Sequence, residues 1–274
     1  MADMKALIFA AGLGTRLKPL TDTMPKALVP VHGQTLLEYQ IRKLQSAGIN
    51  DIIVNVHHFP DMIIDYLREN NNFGSNISIS DERDNLLDTG GGLLKAWSTF
   101  APDESLLAIN VDILSDINLR DIINEYTSLA DNPSPLALLV VKSRETQRYL
   151  CFDEHDNLCG WTNLATGETR PSSFHHSGEA GSLSAASSFR LLAFSGMQLL
   201  SPAALPLLQA YNSSLSEASP LSERSSRLNP SFNKFSIIDF YLHVVEHALG
   251  TLRALKIDLP LLDVGKLDQL SQLS

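Results

Sequence analysis

The chain opens on an apolar run, Lys5-Ala-Leu-Ile-Phe-Ala-Ala11, that ends in glycines, the pattern of a strand buried on both faces. Thr35-Leu-Leu-Glu38 reads as a capping box, and Leu37, Ile41 and Leu44 then share one helical face until Gly48 stops it. Asp51 to Val56 is a second strand, residues 60–70 a helix, Ile77 to Ser80 a short strand, and Gly91 to Phe100 a helix after a glycine-rich turn. Leu106 to Asn110 is another buried strand. Leu119, Ile122, Ile123, Tyr126 and Leu129 form the apolar stripe of the next helix, and Leu136 to Val141 is a further strand. Strands alternating with helices predict a Rossmann-like α/β fold, a mostly parallel sheet with helices on both faces.

The second half is less regular. Tyr149 to Asp153 and Leu158 to Thr162 flank Asp156-Asn157 and predict a β-hairpin. Phe189 to Phe194 reads as a strand, Ser236 to Leu249 as a helix ended by Gly250, and Thr251 to Ile257 and Leu261 to Val264 as terminal strands before a short helix from Lys266. Residues 165–188 and 212–231, the latter with eight serines and two prolines, read as long loops. No linker divides the chain, so a single domain over 1–274 is expected.

Composition narrows the partners. The 274 residues carry 21 basic and 31 acidic side chains, a net charge of −10, which argues against a nucleic-acid polymer because phosphate-backbone binding needs a basic face. A small anionic ligand needs only a few placed cations. The two cysteines, Cys151 and Cys159, exclude a disulfide scaffold and a cysteine-rich zinc site. Met1-Ala-Asp-Met-Lys5 lacks the layout of a signal peptide, and the longest apolar run, Leu136 to Val141, is too short to span a bilayer. A cytoplasmic protein without a membrane partner is expected.

The sharpest local signal is Ala10-Ala-Gly-Leu-Gly-Thr-Arg-Leu-Lys-Pro-Leu-Thr21, continuing to Met24-Pro-Lys-Ala-Leu28. A dinucleotide-binding turn would need a third glycine where Leu17 stands and a long helix that Pro19 and Pro25 forbid. A kinase-type P-loop would need Gly-Lys-Ser/Thr. What remains is an extended anion-binding loop, with Arg16 and Lys26 beside backbone N–H groups, or a tight turn with two solvated cations.

Ala11-Gly-Leu-Gly-Thr-Arg-Leu and Pro25-Lys-Ala-Leu resemble the signature of the sugar-1-phosphate nucleotidylyltransferases, and Asp88-Thr-Gly-Gly-Gly-Leu, Asn110-Val-Asp112, Phe194-Ser-Gly-Met and Asp263-Val-Gly265 are similar to later landmarks of that family. The short chain and these later motifs look most like its N-acetylmuramate α-1-phosphate uridylyltransferases, with mannose- and heptose-1-phosphate guanylyltransferases as near relatives. The resemblance implies a GT-A-like nucleotidyltransferase fold, a nucleotide-binding half over 1–145 and a sugar-binding half over 146–274. It implies attack of a sugar-1-phosphate on the α-phosphorus of a nucleoside triphosphate, UTP by preference, with release of pyrophosphate.

The same resemblance implies the roles. Asp112 and Asp263 would hold Mg²⁺, Arg16 the β- and γ-phosphates, and Lys26 the α-phosphate and sugar phosphate. Ala11, Gly12, Gly14 and Thr15 would contact the nucleotide, and Glu82, Gly90 and Gly91 its base and ribose. Gly196 and Asp239 would lie near the sugar, although Gly196 also reads as a turn glycine and Asp239 sits where a capping box requires an acid. His57-His58 and His175-His176 point to opposite faces in pairs and read as solvated or loop residues.

Three departures stand out: Val111 replaces the usual glycine before the strand-end aspartate, a Glu-Lys-Pro sugar segment is not seen near Gly160-Trp-Thr-Asn163, and Lys266-Leu follows Asp263-Val-Gly265. Base, sugar and oligomeric state stay open. A non-catalytic nucleotide-sugar-binding homologue remains a reading of a different class.

Overall fold

A computed structural model describes residues 4–129, 134–171, 189–218, 232–258 and 260–264. The first strand, β1 (Met4–Phe9), lies between β4 (Asp51–Val56) and β6 (Ser105–Asn110), parallel to both, and β5 (Asn76–Asp81) extends the sheet beyond β4. On the other side β12 (Arg190–Leu200) runs antiparallel to β6. Its C-terminal part pairs with β8 (Ala137–Lys142), which β13 (Leu252–Lys256) joins in parallel. Its first residues pair instead with β9 (Arg148–Phe152), followed by β10 (Leu158–Asn163) and β11 (Glu168–Arg170). The ten-stranded sheet is thus parallel through β1, β4, β5 and β6 and mainly antiparallel beyond them. The alternation in residues 1–145 predicts the first part; a hairpin grown into a three-stranded meander makes the second.

Successive residues of β1 serve opposite faces, as a period of two requires. Ala6 and Ile8 join the layer under α1 (Leu36–Ser46), α2 (Pro60–Glu69) and α4 (Leu119–Ser128), whereas Leu7 joins the layer under α3 (Asp88–Trp97), α5 (Ala204–Ala218) and α6 (Ile237–Glu246). Thr35 caps α1 by accepting the Glu38 N–H at 3.1 Å, while the Glu38 carboxylate accepts the Tyr66 hydroxyl. The Thr35 half of the expected capping box forms, and the Glu38 side chain is engaged by the neighbouring helix.

Two sequence expectations need correction. The helix expected from Gly91 begins at Asp88, so Asp88, Thr89 and Gly90 belong to its first turn rather than to a glycine-rich turn before it. The serine-rich segment from 212 is helical through residue 218, as the end of α5. Serine has modest helix propensity, but the apolar side of α5 decides the matter: Leu205 and Leu208 are buried and the Tyr211 ring meets Phe235 edge-on at 5.2 Å. Residues 172–188 and 219–231, His175-His176 and the expected helix from Lys266 lie outside the described residues. Among the described residues no helix is long and apolar enough to cross a membrane.

Two short ribbons stand apart from the main sheet. Pro30–Val31 pairs with Gln34–Thr35 as β2 and β3, and β7 (Ile113–Ser115) pairs antiparallel with β14 (Leu261–Asp263). The second ribbon ties the far end of the chain to the turn that follows β6.

Candidate active site

A cleft of about 310 Å³ opens where β1, β4 and β6 end. The carboxyl edge of such a sheet is where open α/β folds place ligands. Its wall includes Gly12, Lys26, Asn55, Glu82, Thr89 and Asp112. Asp112 sits in the turn between β6 and β7 and is 4% exposed. The Lys26 ammonium donates to Asp112 Oδ2 at 2.8 Å, joining residues 86 apart in sequence. A buried carboxylate needs such a partner.

The β7–β14 ribbon brings in the other aspartate. Asp263 stands opposite Ile113 in the register, and the next N–H, of Val264, donates to the Asp112 carbonyl at 3.1 Å. Backbone pairing thus sets Asp263 beside Asp112. The turn itself is held from α1: the buried Gln40 amide donates to the Ile113 carbonyl at 2.6 Å, and the Tyr39 hydroxyl donates to the Ser115 carbonyl at 2.8 Å. Lys43, lowered to about 8 by burial, donates to Ser115 Oγ. These three clamps were not legible in the sequence, where they read as ordinary helix positions.

Val111 is fully buried in the apolar layer that contains α1, and its N–H donates to the Phe9 carbonyl. Its bulk is absorbed by that core and is not part of the cleft wall.

The glycine-rich loop has three distinct parts. Asn55 Oδ1 accepts the N–H groups of both Ala10 and Ala11, at 2.7 and 3.2 Å. The Ala11 N–H is therefore committed within the protein, although Ala11 lines the cleft. Gly12 faces Lys26, and a Cβ there would sit 3.6 Å from the ammonium. Gly14 has φ +63°, and a Cβ would lie 2.7 Å from Thr21 Cγ2, so the turn admits no side chain. Thr21 donates to the Gly14 carbonyl at 2.8 Å. Thr15 and Arg16 follow in a short 3₁₀ turn and are exposed beyond the buried Leu17.

Asn55 also donates through Nδ2 to Glu82 Oε1 at 2.8 Å, and Glu82 Oε2 accepts the Leu87 N–H at 3.0 Å. Burial raises the Glu82 pKa above the usual carboxylate range. Glu82 borders the cleft with both oxygens already engaged. Asn55 is a residue that sequence reasoning missed; its signal was a lone amide in the apolar run Ile52-Ile-Val-Asn-Val56. Asn55→Leu is expected to orphan two N–H groups and one carboxylate oxygen, costing roughly 2–5 kcal/mol in a urea unfolding titration.

Gly90 and Gly91 are packed against a neighbouring segment of backbone. Both are buried, and both N–H groups point to the Phe235 carbonyl, at 2.9 and 3.4 Å. A Cβ on Gly91 would lie 2.1 Å from the Asn233 carbonyl oxygen. They let α3 dock on the segment that carries Lys234, while Asp88, Thr89 and Lys234 face the cleft.

In the second half, Gly196 has φ +78° and a Cβ there would meet Asn110 Nδ2 at 2.5 Å, so the glycine is required where β12 passes the strand-end asparagine. Asp239 completes a capping box with Ser236 and also accepts from Arg170 at 2.8 Å. It lines a second cavity of about 520 Å³, distinct from the first cleft. His57 Nδ1 contacts the Glu82 carbonyl at 2.7 Å and His58 Nε2 the Thr21 carbonyl at 3.2 Å, so this pair braces loops. Cys151 is buried, which pushes its thiol up to about 12, far from a nucleophile's range.

The nucleotidyl transferase family model matches residues 5–156, just over half of the chain. The N-acetylmuramate alpha-1-phosphate uridylyltransferase of Caulobacter vibrioides is 41% identical over 109 residues, which are 39% of this chain and 45% of that protein. The enzyme of the same name from Neisseria meningitidis is 36% identical over 137 residues, 50% of this chain and 59% of that protein. A mannose-1-phosphate guanyltransferase of Gibberella zeae is 34% identical over 148 residues, 53% of this chain and 40% of that protein. The chain spans about half the length of the curated relatives it matches. Among solved structures, a putative glucose-1-phosphate thymidylyltransferase of Bacillus anthracis superposes with a TM-score of 0.68 at 17% identity, covering 98% of this chain and 93% of that one. HddC from Yersinia pseudotuberculosis, complexed with GMP-PN, gives 0.66 at 20% identity, covering 100% and 98%. At these identities the superpositions establish the fold, and the family match over the strands that build the cleft establishes the kinship: the chain belongs to the nucleotidyl transferase family.

Proposed function

We propose that the protein transfers a nucleoside monophosphate from a nucleoside triphosphate to a sugar-1-phosphate, with UTP as donor and an N-acetylmuramate-like sugar as acceptor. One observation carries the reaction class: the Lys26–Asp112 pair at 2.8 Å in the cleft, with Asp263 beside it in the strand register. An acceptor phosphate oxygen attacks the α-phosphorus, the bond to the bridging oxygen of the β-phosphate breaks, and pyrophosphate departs. Both reactants are anions, so the work is positioning and charge neutralisation.

Lys26 places its ammonium where the two phosphates converge, already oriented by Asp112. Arg16, on the exposed side of the loop, offers a planar fork to the β- and γ-phosphates. Gly12 leaves room for the α-phosphate beside Lys26. Asn55 and Glu82 keep the start of the loop in register.

Among the described residues no group of three or more His, Cys, Asp or Glu converges. A pair of carboxylates from Asp112 and Asp263 is the oxygen-only, incomplete donor set that Mg²⁺ uses when substrate phosphates and water fill the remaining positions. Bound there, the cation would screen the triphosphate from the incoming phosphate.

The relatives named for mannose-1-phosphate guanyl transfer support a second reading with GTP and a hexose- or heptose-1-phosphate. Incubation with each sugar-1-phosphate and with UTP or GTP, following pyrophosphate, separates the two. Absence of release with every UTP pairing would overturn the uridylyl version.

A further inference from the structure

We infer that the second cavity selects an acidic acceptor, binding a negatively charged ring substituent of the sugar-1-phosphate through Arg144 and Arg148. The inference rests on the transfer reaction proposed for the first cleft and adds the residues that choose the acceptor.

The cavity, about 520 Å³, lies between the β9–β10–β11 meander and the start of α6, with Tyr149, Trp161 and Phe194 among its apolar walls. Five charged side chains line it: Arg144, Arg148, Arg170, Glu168 and Asp239. Both acids are drawn onto one arginine. Arg170 donates to Asp239 at 2.8 Å, lies 3.8 Å from Glu168 through Nε, and sits over the Trp161 ring at 5.0 Å. Arg144 and Arg148 have no acidic partner among the described residues. In a chain of net charge −10, two uncompensated guanidinium groups on one concave apolar surface form a local positive site. Planar guanidinium forks match carboxylate geometry, and aromatic walls suit the apolar face of a sugar ring.

The cavity is continuous in sequence with the first cleft on two sides. Phe194 precedes by two residues Gly196, whose backbone presses on Asn110 of the cleft wall. Ser236 and Asp239 follow Lys234, which faces the cleft. In this proposal the phosphate of the sugar lies at Lys26 and its ring substituent at the arginines, with the segments around Gly196 and Lys234 joining the two linings along the chain. This also accounts for the missing Glu-Lys-Pro segment: the cations that meet the acceptor come from the residues before and at the start of β9.

The test compares N-acetylmuramate α-1-phosphate with N-acetylglucosamine α-1-phosphate, which differ by one carboxylate-bearing ether, in the wild type and in an Arg144→Gln/Arg148→Gln variant. The wild type is expected to favour the acidic acceptor in kcat/KM by at least about tenfold, the scale of one charge-assisted hydrogen bond. In the double variant that ratio should collapse toward one through the acceptor KM, without a change in the KM for UTP. Arg148→Lys should retain part of it. Both arginines are exposed, so folding is preserved and a thermal melt verifies it. Equal use of the two acceptors by the wild type, or a preference that survives the double substitution, overturns this inference and leaves nucleotidylyl transfer standing. Turnover of no sugar-1-phosphate with UTP or GTP overturns the reaction itself, and the inference with it.

Discussion

Asp112→Asn is expected to lower the rate of pyrophosphate release by about a hundredfold to a thousandfold, the scale of removing one charged group from a preorganised site. The melting temperature should move little. Asparagine has the same shape, and its amide oxygen still accepts the Lys26 ammonium that now donates to Oδ2 at 2.8 Å. What it loses is the negative charge that orients Lys26 and offers a hard oxygen donor to a cation. Asp112→Ala is the poorer experiment. It would leave Lys26, whose side chain is only 14% exposed, without a counter-ion, so stability and chemistry would fall together. An asparagine variant as active as the parent would remove the Asp112 charge from the reaction, whereas nucleotide-sugar binding with no turnover by the parent would make the cleft a binding site without catalysis.

The second large effect is expected at Gly91. A methyl group there would lie 2.1 Å from the Asn233 carbonyl oxygen, and backbone cannot swing aside as a long side chain does. Gly91→Ala should cost about 3 kcal/mol, or roughly 6–12 °C in melting temperature for a domain of this size. It should also weaken nucleotide binding, because α3 and the Lys234 segment are joined by the Gly90 and Gly91 N–H bonds to the Phe235 carbonyl. Gly12→Ala is the contrasting case. Its Cβ meets the Lys26 ammonium at an ordinary 3.6 Å, so the melt should be unchanged while the KM for the triphosphate rises. Differential scanning fluorimetry beside nucleotide titrations distinguishes the two glycines.

That contrast shows where sequence reading reaches its limit. Gly12 and Gly91 look alike in sequence, each in a glycine-rich segment of a family signature. Gly12 faces the end of a side chain across an ordinary contact distance, and Gly91 faces a backbone carbonyl that leaves no room. Only the identity of the atom opposite the missing Cβ separates them. Asn55 is the converse case. Its place at the end of an apolar strand marks it as unusual, but its work depends on Ala10, Ala11 and Glu82, none of which it neighbours in sequence. The end of α5 was hidden because serine composition is a local property, whereas the packing of Tyr211 on Phe235 and Phe240 is not.

Local periodicity by itself determined the alternating strands and helices of residues 1–145, because buried strands and amphipathic helices impose periods that no distant residue is needed to read. The glycine- and proline-rich motif after the first strand likewise marked Arg16 and Lys26 as cations beside a glycine turn. Tertiary structure alone decided that β12 divides its pairing between β8 and β9, that Arg170 absorbs both acids of the second cavity, and that Asp263 returns to the Asp112 turn through β14. Strand order and register between remote segments are set by the mutual burial of whole layers, and no window of neighbouring residues contains that information.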